Sequence, residues 1–149
     1  MALWRLYYHF VWATKEREPL IDSRQEAGLY NYIIGKADAL KCITHAINGT
    51  ADHLHLIASI PPTLAIAEFV KNIKGSSSHY ANHTLSPASK NFCWQAGYGV
   101  FSLGRKQLEQ AVAYVDNQKL HHDQGTLISA LEEVTNADDA PERWDPPGN

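Results

Sequence analysis

From Leu3 to Thr14 apolar and aromatic side chains fill both alternating phases of the chain. That pattern predicts a central strand buried on both faces. Glu16 to Pro19 interrupts it. Asp22 or Ser23 can cap a helix to about Leu40, because Ala27, Tyr30, Ile33, Ile34 and Ala37 recur with helical period on one face. Cys42–Asn48 reads as a short strand, Gly49-Thr50 as a turn, and His53–Ile60 as a second strand. Pro61-Pro62 ends it. Thr63 then caps a helix with Ile66, Phe69, Val70 and Ile73 on one side, and Lys71 and Lys74 on the other. The Ser-, His- and Asn-rich stretch from Gly75 to Asn91 predicts a helix fading into a loop. A last strand is expected within Phe92–Leu103, a helix from about Lys106 to Leu120, and a final helix over Thr126–Thr135.

The order strand, helix, strand, strand, helix, strand, helix is that of an α+β, ferredoxin-like (split βαβ) sandwich. It predicts an antiparallel sheet with helices on one face, plus an added C-terminal helix carrying Tyr114. Residues 1–135 read as a single domain, and 136–149 as an acidic, Pro-rich, flexible tail.

The 149 residues suffice for one real hydrophobic core. Cys42 and Cys93 are the only cysteines, which excludes a disulfide scaffold or a four-cysteine zinc site and suits a reducing cytoplasm. The apolar start is too short to span a bilayer, and Arg5 and His9 interrupt it, so neither a membrane anchor nor a signal peptide is expected. The formal charge of −3 at first disfavours a nucleic-acid partner. It is unevenly spread, however. His121–Asn149 holds seven acids against one base, a net of −6, whereas Met1–Leu120 holds twelve bases against nine acids, a net of +3. The mildly basic body is compatible with nucleic acid without requiring it.

Candidate chemistry sits in two segments. In Asp52-His53-Leu54-His55-Leu56 the histidines are two apart on a strand, so they share a face while the leucines face the core. Two imidazoles side by side begin a metal site but do not complete one; two surface histidines are the plain alternative. In Tyr114-Val115-Asp116-Asn117-Gln118, Tyr114 and Gln118 lie one helical turn apart. A carboxamide oxygen can ligate a metal with a phenol beside it, and the alternative is a core tyrosine with a solvated glutamine. Ser76-Ser77-Ser78 has no base or oxyanion motif to make a serine nucleophile.

These segments, in this order, resemble the single-tyrosine transposases of small bacterial insertion sequences (the IS200-like family), within the HUH nuclease group. The His-hydrophobe-His of that group matches His53-Leu54-His55. The surrounding Asp52–Ser78, together with Phe92–Gly104, Ala113–His122 and the opening YYHFVWATKER, is similar as well, so the resemblance spans roughly Tyr7 to His122. It departs at Glu16 and at Ser102-Leu103-Gly104.

The resemblance implies a DNA transposase: a metal-dependent single-strand endonuclease and strand transferase working through a 5′-phosphotyrosine at hairpin-bearing element ends. Tyr114 would be the nucleophile, with His53, His55 and Gln118 holding Mg²⁺ or Mn²⁺. Mg²⁺ prefers oxygen ligands, whereas two imidazoles suit Mn²⁺, Co²⁺ or Zn²⁺ better. Lys71, Lys74, Arg105 and Lys106 are candidate phosphate contacts, and His121 and His122 are read as capping the Tyr114 helix, with contact to the metal or DNA as the alternative. The implied partners are single-stranded DNA with hairpin ends and a second copy of the chain, with no membrane and no small-molecule substrate. Two other functions fit the same residues: a non-cutting binder of hairpin nucleic acid, and a small metal-dependent phosphoesterase.

Overall fold

In the computed structural model, which describes residues 2–85, 91–120 and 140–148, strand and helix alternate as the periodicity predicts. The elements are β1 (Tyr7–Ala13), α1 (Glu26–Ala39), β2 (Ile43–Gly49), β3 (His53–Ser59), α2 (Ile66–Tyr80), β4 (Gly99–Leu103) and α3 (Arg105–Asp116). The four strands form one antiparallel sheet in the order β2-β3-β1-β4, the ferredoxin-like arrangement.

Side-chain alternation divides the molecule into two cores. Phe10 and Trp12 of β1 pair with Leu56 and Leu54 of β3, and all four point to the face covered by α1 and α2. There they meet Leu29, Ile33 and Ala37 of α1 and Phe69, Val70 and Ile73 of α2, all buried. Phe10 and Phe69 stand 5.2 Å apart, and Tyr32 stacks on Tyr80 at 4.3 Å to join the two helices. The opposite face carries α3, seated on Ala46 of β2 and Ile57 of β3 through Ala111, Tyr114 and Val115. In β2 the ladder slips by one residue between Thr44 and Ala46, a bulge that turns Ala46 and Asn48 toward α3 and Ile47 toward the larger core.

Several boundaries differ from the pattern-based expectation. β1 starts at Tyr7 rather than Leu3 because its neighbours end there: Tyr7 pairs with Leu103 and Tyr8 with Ala58. Leu3 is mostly exposed. Asp22 does cap a turn, its carboxylate accepting the Arg24 N–H, but α1 proper begins at Glu26. α1 ends in a Schellman motif, with Cys42 N–H bonded to the Ala37 carbonyl and Lys41 N–H to that of Asp38, which places Lys41 at φ 66°.

α2 does not fade at Gly75. It continues to Tyr80 and on through a π-turn over Ala81–Leu85. The serine hydroxyls are satisfied within the helix, Ser76 bonding to the Asn72 carbonyl and Ser78 to that of Gly75. Buried Ser77 also accepts the Trp94 indole N–H at 2.9 Å, so this run is structural. β4 is confined to Gly99–Leu103, and Trp94 makes only an isolated bridge to Thr14. α3 lapses at Asn117, whose side chain bonds back to the Ala113 carbonyl, and a helical turn resumes over 118–120.

The expected Thr126–Thr135 helix, His121 and His122 lie outside the described residues; of the tail, 140–148 carries no helix or strand. Cys42 is a buried free thiol pushed up to about 11 by burial, and Cys93 is exposed. Among the described residues no helix is long and apolar enough to cross a membrane.

Candidate active site

The β2–β3 turn is the foundation of the site. At Gly49 an added Cβ would stand 2.2 Å from the His53 carbonyl oxygen, so only glycine lets the strands close this tightly. Thr50 N–H bonds to that same carbonyl. Two crosslinks to the chain after β1, Thr14 N–H to Asp52 O and Ile21 N–H to Ala51 O, fix the turn in place. His53 follows immediately. Its Nδ1 lies 2.8 Å from Asp52 Oδ1 and 2.9 Å from the Thr50 hydroxyl. Partial burial would raise the Asp52 carboxyl, but the hydrogen bond and charge of His53, the Thr50 hydroxyl and Arg17 at 3.8 Å outweigh it, and the group lies below the usual carboxylate range. An ionised carboxylate only accepts, so the Nδ1–H donates to it and Nε2 is the ring nitrogen suited to a metal.

His55 emerges two residues on, on the same face, its ring 5.2 Å from that of His53 at 75°. A third imidazole, missed in the sequence reading, joins them from β1. His9 Nε2 lies 2.8 Å from His55 Nδ1, and both residues are fully buried. The signal was a lone histidine in phase with the α3-facing positions of β1, one strand away from the motif.

α3 closes over this face. Gly104 precedes it, its N–H bonded to the Gln107 side chain. The Asn48 amide donates to the Asp116 carbonyl at 3.0 Å. Lys119 reaches both Asn48 and Glu26, tying the segment after α3 to β2 and α1. Tyr114 meets His55 edge-on, ring centres 6.2 Å apart. Gln118, although beyond the lapse at Asn117, is turned fully inward. Tyr114 is 5% exposed, His53 2%, and His55 and Gln118 0%, so all four residues are shielded from solvent, with ring contacts joining His53, His55 and Tyr114.

The cationic candidates separate. Arg105 and Lys106 are exposed at the N-terminal end of α3, on the histidine side of the sheet. Lys71 and Lys74 belong to α2, across the sheet from the histidines. Lys71 is exposed, whereas the Lys74 ammonium donates to the carbonyls of Gln95 and Gly97 at 2.6 and 2.9 Å, and burial lowers its pKa. Lys74 thereby secures the chain leading to β4.

Among the described residues no three His, Cys, Asp or Glu side chains converge as a metal site. A metal here would take the two imidazoles and need the Gln118 carboxamide oxygen as its third protein donor. Two imidazoles on one ion, with bonds of about 2.0–2.1 Å, stand roughly 5 Å apart centre to centre. The observed 5.2 Å fits that arrangement, as does the Asp52 carboxylate behind His53.

Comparison with known proteins agrees with the fold. A protein-family profile described as "Transposase IS200 like" matches residues 2–118. The ISDra2 transposase TnpA of Deinococcus radiodurans is 26% identical over 122 residues, covering 78% of this chain and 86% of that protein. The transposase for insertion sequence element IS200 of Salmonella typhimurium is 23% identical over 131 residues, 85% of each. A crystal structure of a D. radiodurans protein assigned as a transposase aligns with TM-score 0.61 and 26% identity, over 78% of this chain and 93% of that one. A REP-associated tyrosine transposase bound to a REP hairpin has the same fold, with TM-score 0.62 at 18% identity, over 82% of this chain and 74% of that one.

Proposed function

The chain belongs to the IS200-like transposase family, and from that premise we propose that it cuts and rejoins single-stranded DNA through a covalent bond to Tyr114. The observation carrying this reading is the meeting of β3 and α3 within a single chain: the rings of His53, His55 and Tyr114 lie in sequence against one another, and Gln118, one turn beyond Tyr114, is buried. His53, His55 and Gln118 would hold Mg²⁺ or Mn²⁺, which when bound offsets the phosphate charge that repels a nucleophile. The Tyr114 phenol loses its proton and its oxygen forms a bond to phosphorus as the bond from phosphorus to the 3′ oxygen breaks. The products are a 5′-phosphotyrosine and a 3′-OH. Attack by another strand's 3′-OH reverses the step and returns the phenol, so no external energy source is needed.

Arg105 and Lys106, on the histidine side, are the better placed phosphate contacts, and Lys71 serves a strand passing behind the sheet. The substrate is a single strand with a hairpin at the element end, the type of ligand held by the structurally similar REP-associated transposase. Two copies act together as a homodimer.

The test is incubation of the chain with Mn²⁺ and a hairpin-bearing oligonucleotide. A covalent protein–DNA adduct is expected, absent in Tyr114→Phe and in His53→Ala, with DNA binding retained in both. Cutting that survives Tyr114→Phe would assign a phosphoesterase instead, and binding without cutting by the wild-type chain a recognition protein.

A further inference from the structure

We propose that His9 is a positioning residue for this reaction: it fixes the tautomer and orientation of His55 so that the Nε2 lone pair of His55 is turned to the metal. The inference rests on the strand-transfer reading above and concerns a residue outside its ligand set. His9 lies on β1, in register with Ile57 of β3 and Phe101 of β4, two residues along the strand from the Val11–His55 pair and on the same face. It is fully buried, and its ring centre is 5.0 Å from that of His55.

The constraint is in the 2.8 Å contact between His9 Nε2 and His55 Nδ1. Two neutral imidazole nitrogens at that separation bond only if one carries a proton and the other a lone pair. If His9 donates, His55 keeps its proton on Nε2 and presents an N–H that no cation can use. If His55 donates from Nδ1, its Nε2 carries a lone pair and ligates. His9 acts as the acceptor in the second arrangement, as Asp52 does for His53. The two ligating imidazoles are thus backed by two different acceptors, one a half-exposed carboxylate, one a wholly buried imidazole.

The experiment titrates Mn²⁺ calorimetrically into the full chain and into His9→Leu and His9→Gln. Leucine keeps the bulk and removes the acceptor; the glutamine carbonyl oxygen can replace it. His9→Leu should weaken Mn²⁺ binding about 10–100-fold, and His9→Gln should recover it to within about threefold of wild type. The imidazole nitrogen shifts of ¹⁵N-histidine-labelled, metal-free protein supply a second readout, expected to place the His55 proton on Nδ1 in the wild type and in His9→Gln. Melting temperatures of the metal-free variants separate a merely structural role, which would lower stability while leaving Mn²⁺ affinity unchanged. A leucine variant that binds Mn²⁺ like wild type, or a wild-type His55 protonated on Nε2, overturns the proposal and leaves the strand-transfer reading standing. A wild-type chain that takes up no Mn²⁺ overturns both.

Discussion

The attachment of α3 invites a quantitative test, because the helix carrying Tyr114 sits on a much smaller core than the rest of the molecule. Among the described residues, the larger core holds eighteen buried hydrophobic residues and the smaller one five: Ala46, Ile57, Ala111, Tyr114 and Val115. Val115 is completely buried there. Val115→Ala removes two methyl groups, at about 0.8 kcal/mol each, or about 1.6 kcal/mol of transfer free energy. Incomplete collapse of the void raises the loss to about 2.5 kcal/mol. At about 1.4 kcal/mol per factor of ten, α3 should open some 15- to 70-fold more often. The Asn48–Asp116 and Lys119–Glu26 ties are half-exposed to exposed and slow this opening only modestly. Hydrogen exchange followed by mass spectrometry reads the effect directly: amides of 105–116 should exchange faster by that factor, while those of α1 and α2 keep their wild-type protection. If α3 and α2 accelerate together, the helix opens only with global unfolding and the two-core reasoning fails. Unchanged exchange in α3 would show that Val115 contributes nothing to its seating. The point bears on function, because all four site residues are at most 5% exposed. On the proposed function, a DNA strand would reach Tyr114 only when α3 yields.

Other expectations follow from local geometry. Lys41→Gly should raise stability by about 0.5–1 kcal/mol in urea denaturation, since it relieves a left-handed non-glycine residue at the end of α1; a lower midpoint would contradict the Schellman reading. Ser77→Ala should cost about 1–3 kcal/mol by stranding the buried Trp94 N–H, and adding Trp94→Phe should recover part of that loss if the hydrogen bond is its cause. Gly49→Ala should destabilise by about 1–3 kcal/mol, because its methyl group would strike the His53 carbonyl; unaltered denaturation would refute the close approach. Asp52 has a folded pKa below its unfolded one, so its contribution is fully present above the usual carboxylate range and is lost as pH falls through the lower folded value. Acid unfolding of Asp52→Asn should therefore be shallower than that of wild type in this range; equal slopes would remove Asp52 from the account.

What could be read from the chain alone was local. A spacing of two on a strand put His53 and His55 on one face, and a spacing of four set Tyr114 and Gln118 one turn apart; both are buried, although the helix lapses at Asn117. Neither pattern could reveal His9, whose partner lies 46 residues away and is brought near only by the β1–β3 register. Lys74 looked like a surface cation for the same reason: the carbonyls that hold it belong to Gln95 and Gly97, far along the chain. The serine-rich end of α2 has a composition that favours loops, yet it stays helical because the hydroxyls bond within the helix and to Trp94. The early residues Leu3 to Leu6 have strand-like composition, but among the described residues no strand pairs with them to complete a ladder.

The slip in β2 between Thr44 and Ala46 gives the sheet tolerance to changes in length. Residues 46–49 are locked in phase with 54–57 by the tight turn that precedes His53, so the stretch facing Tyr114 cannot shift without reversing which side chains point inward. Residues 43 and 44 keep their own pairing on the far side of the extra residue. A deletion or insertion there would be absorbed at the irregularity, altering the outer edge and sparing the histidine end. Drift in sequence length along this edge strand is thus uncoupled from the arrangement of the histidines beside it.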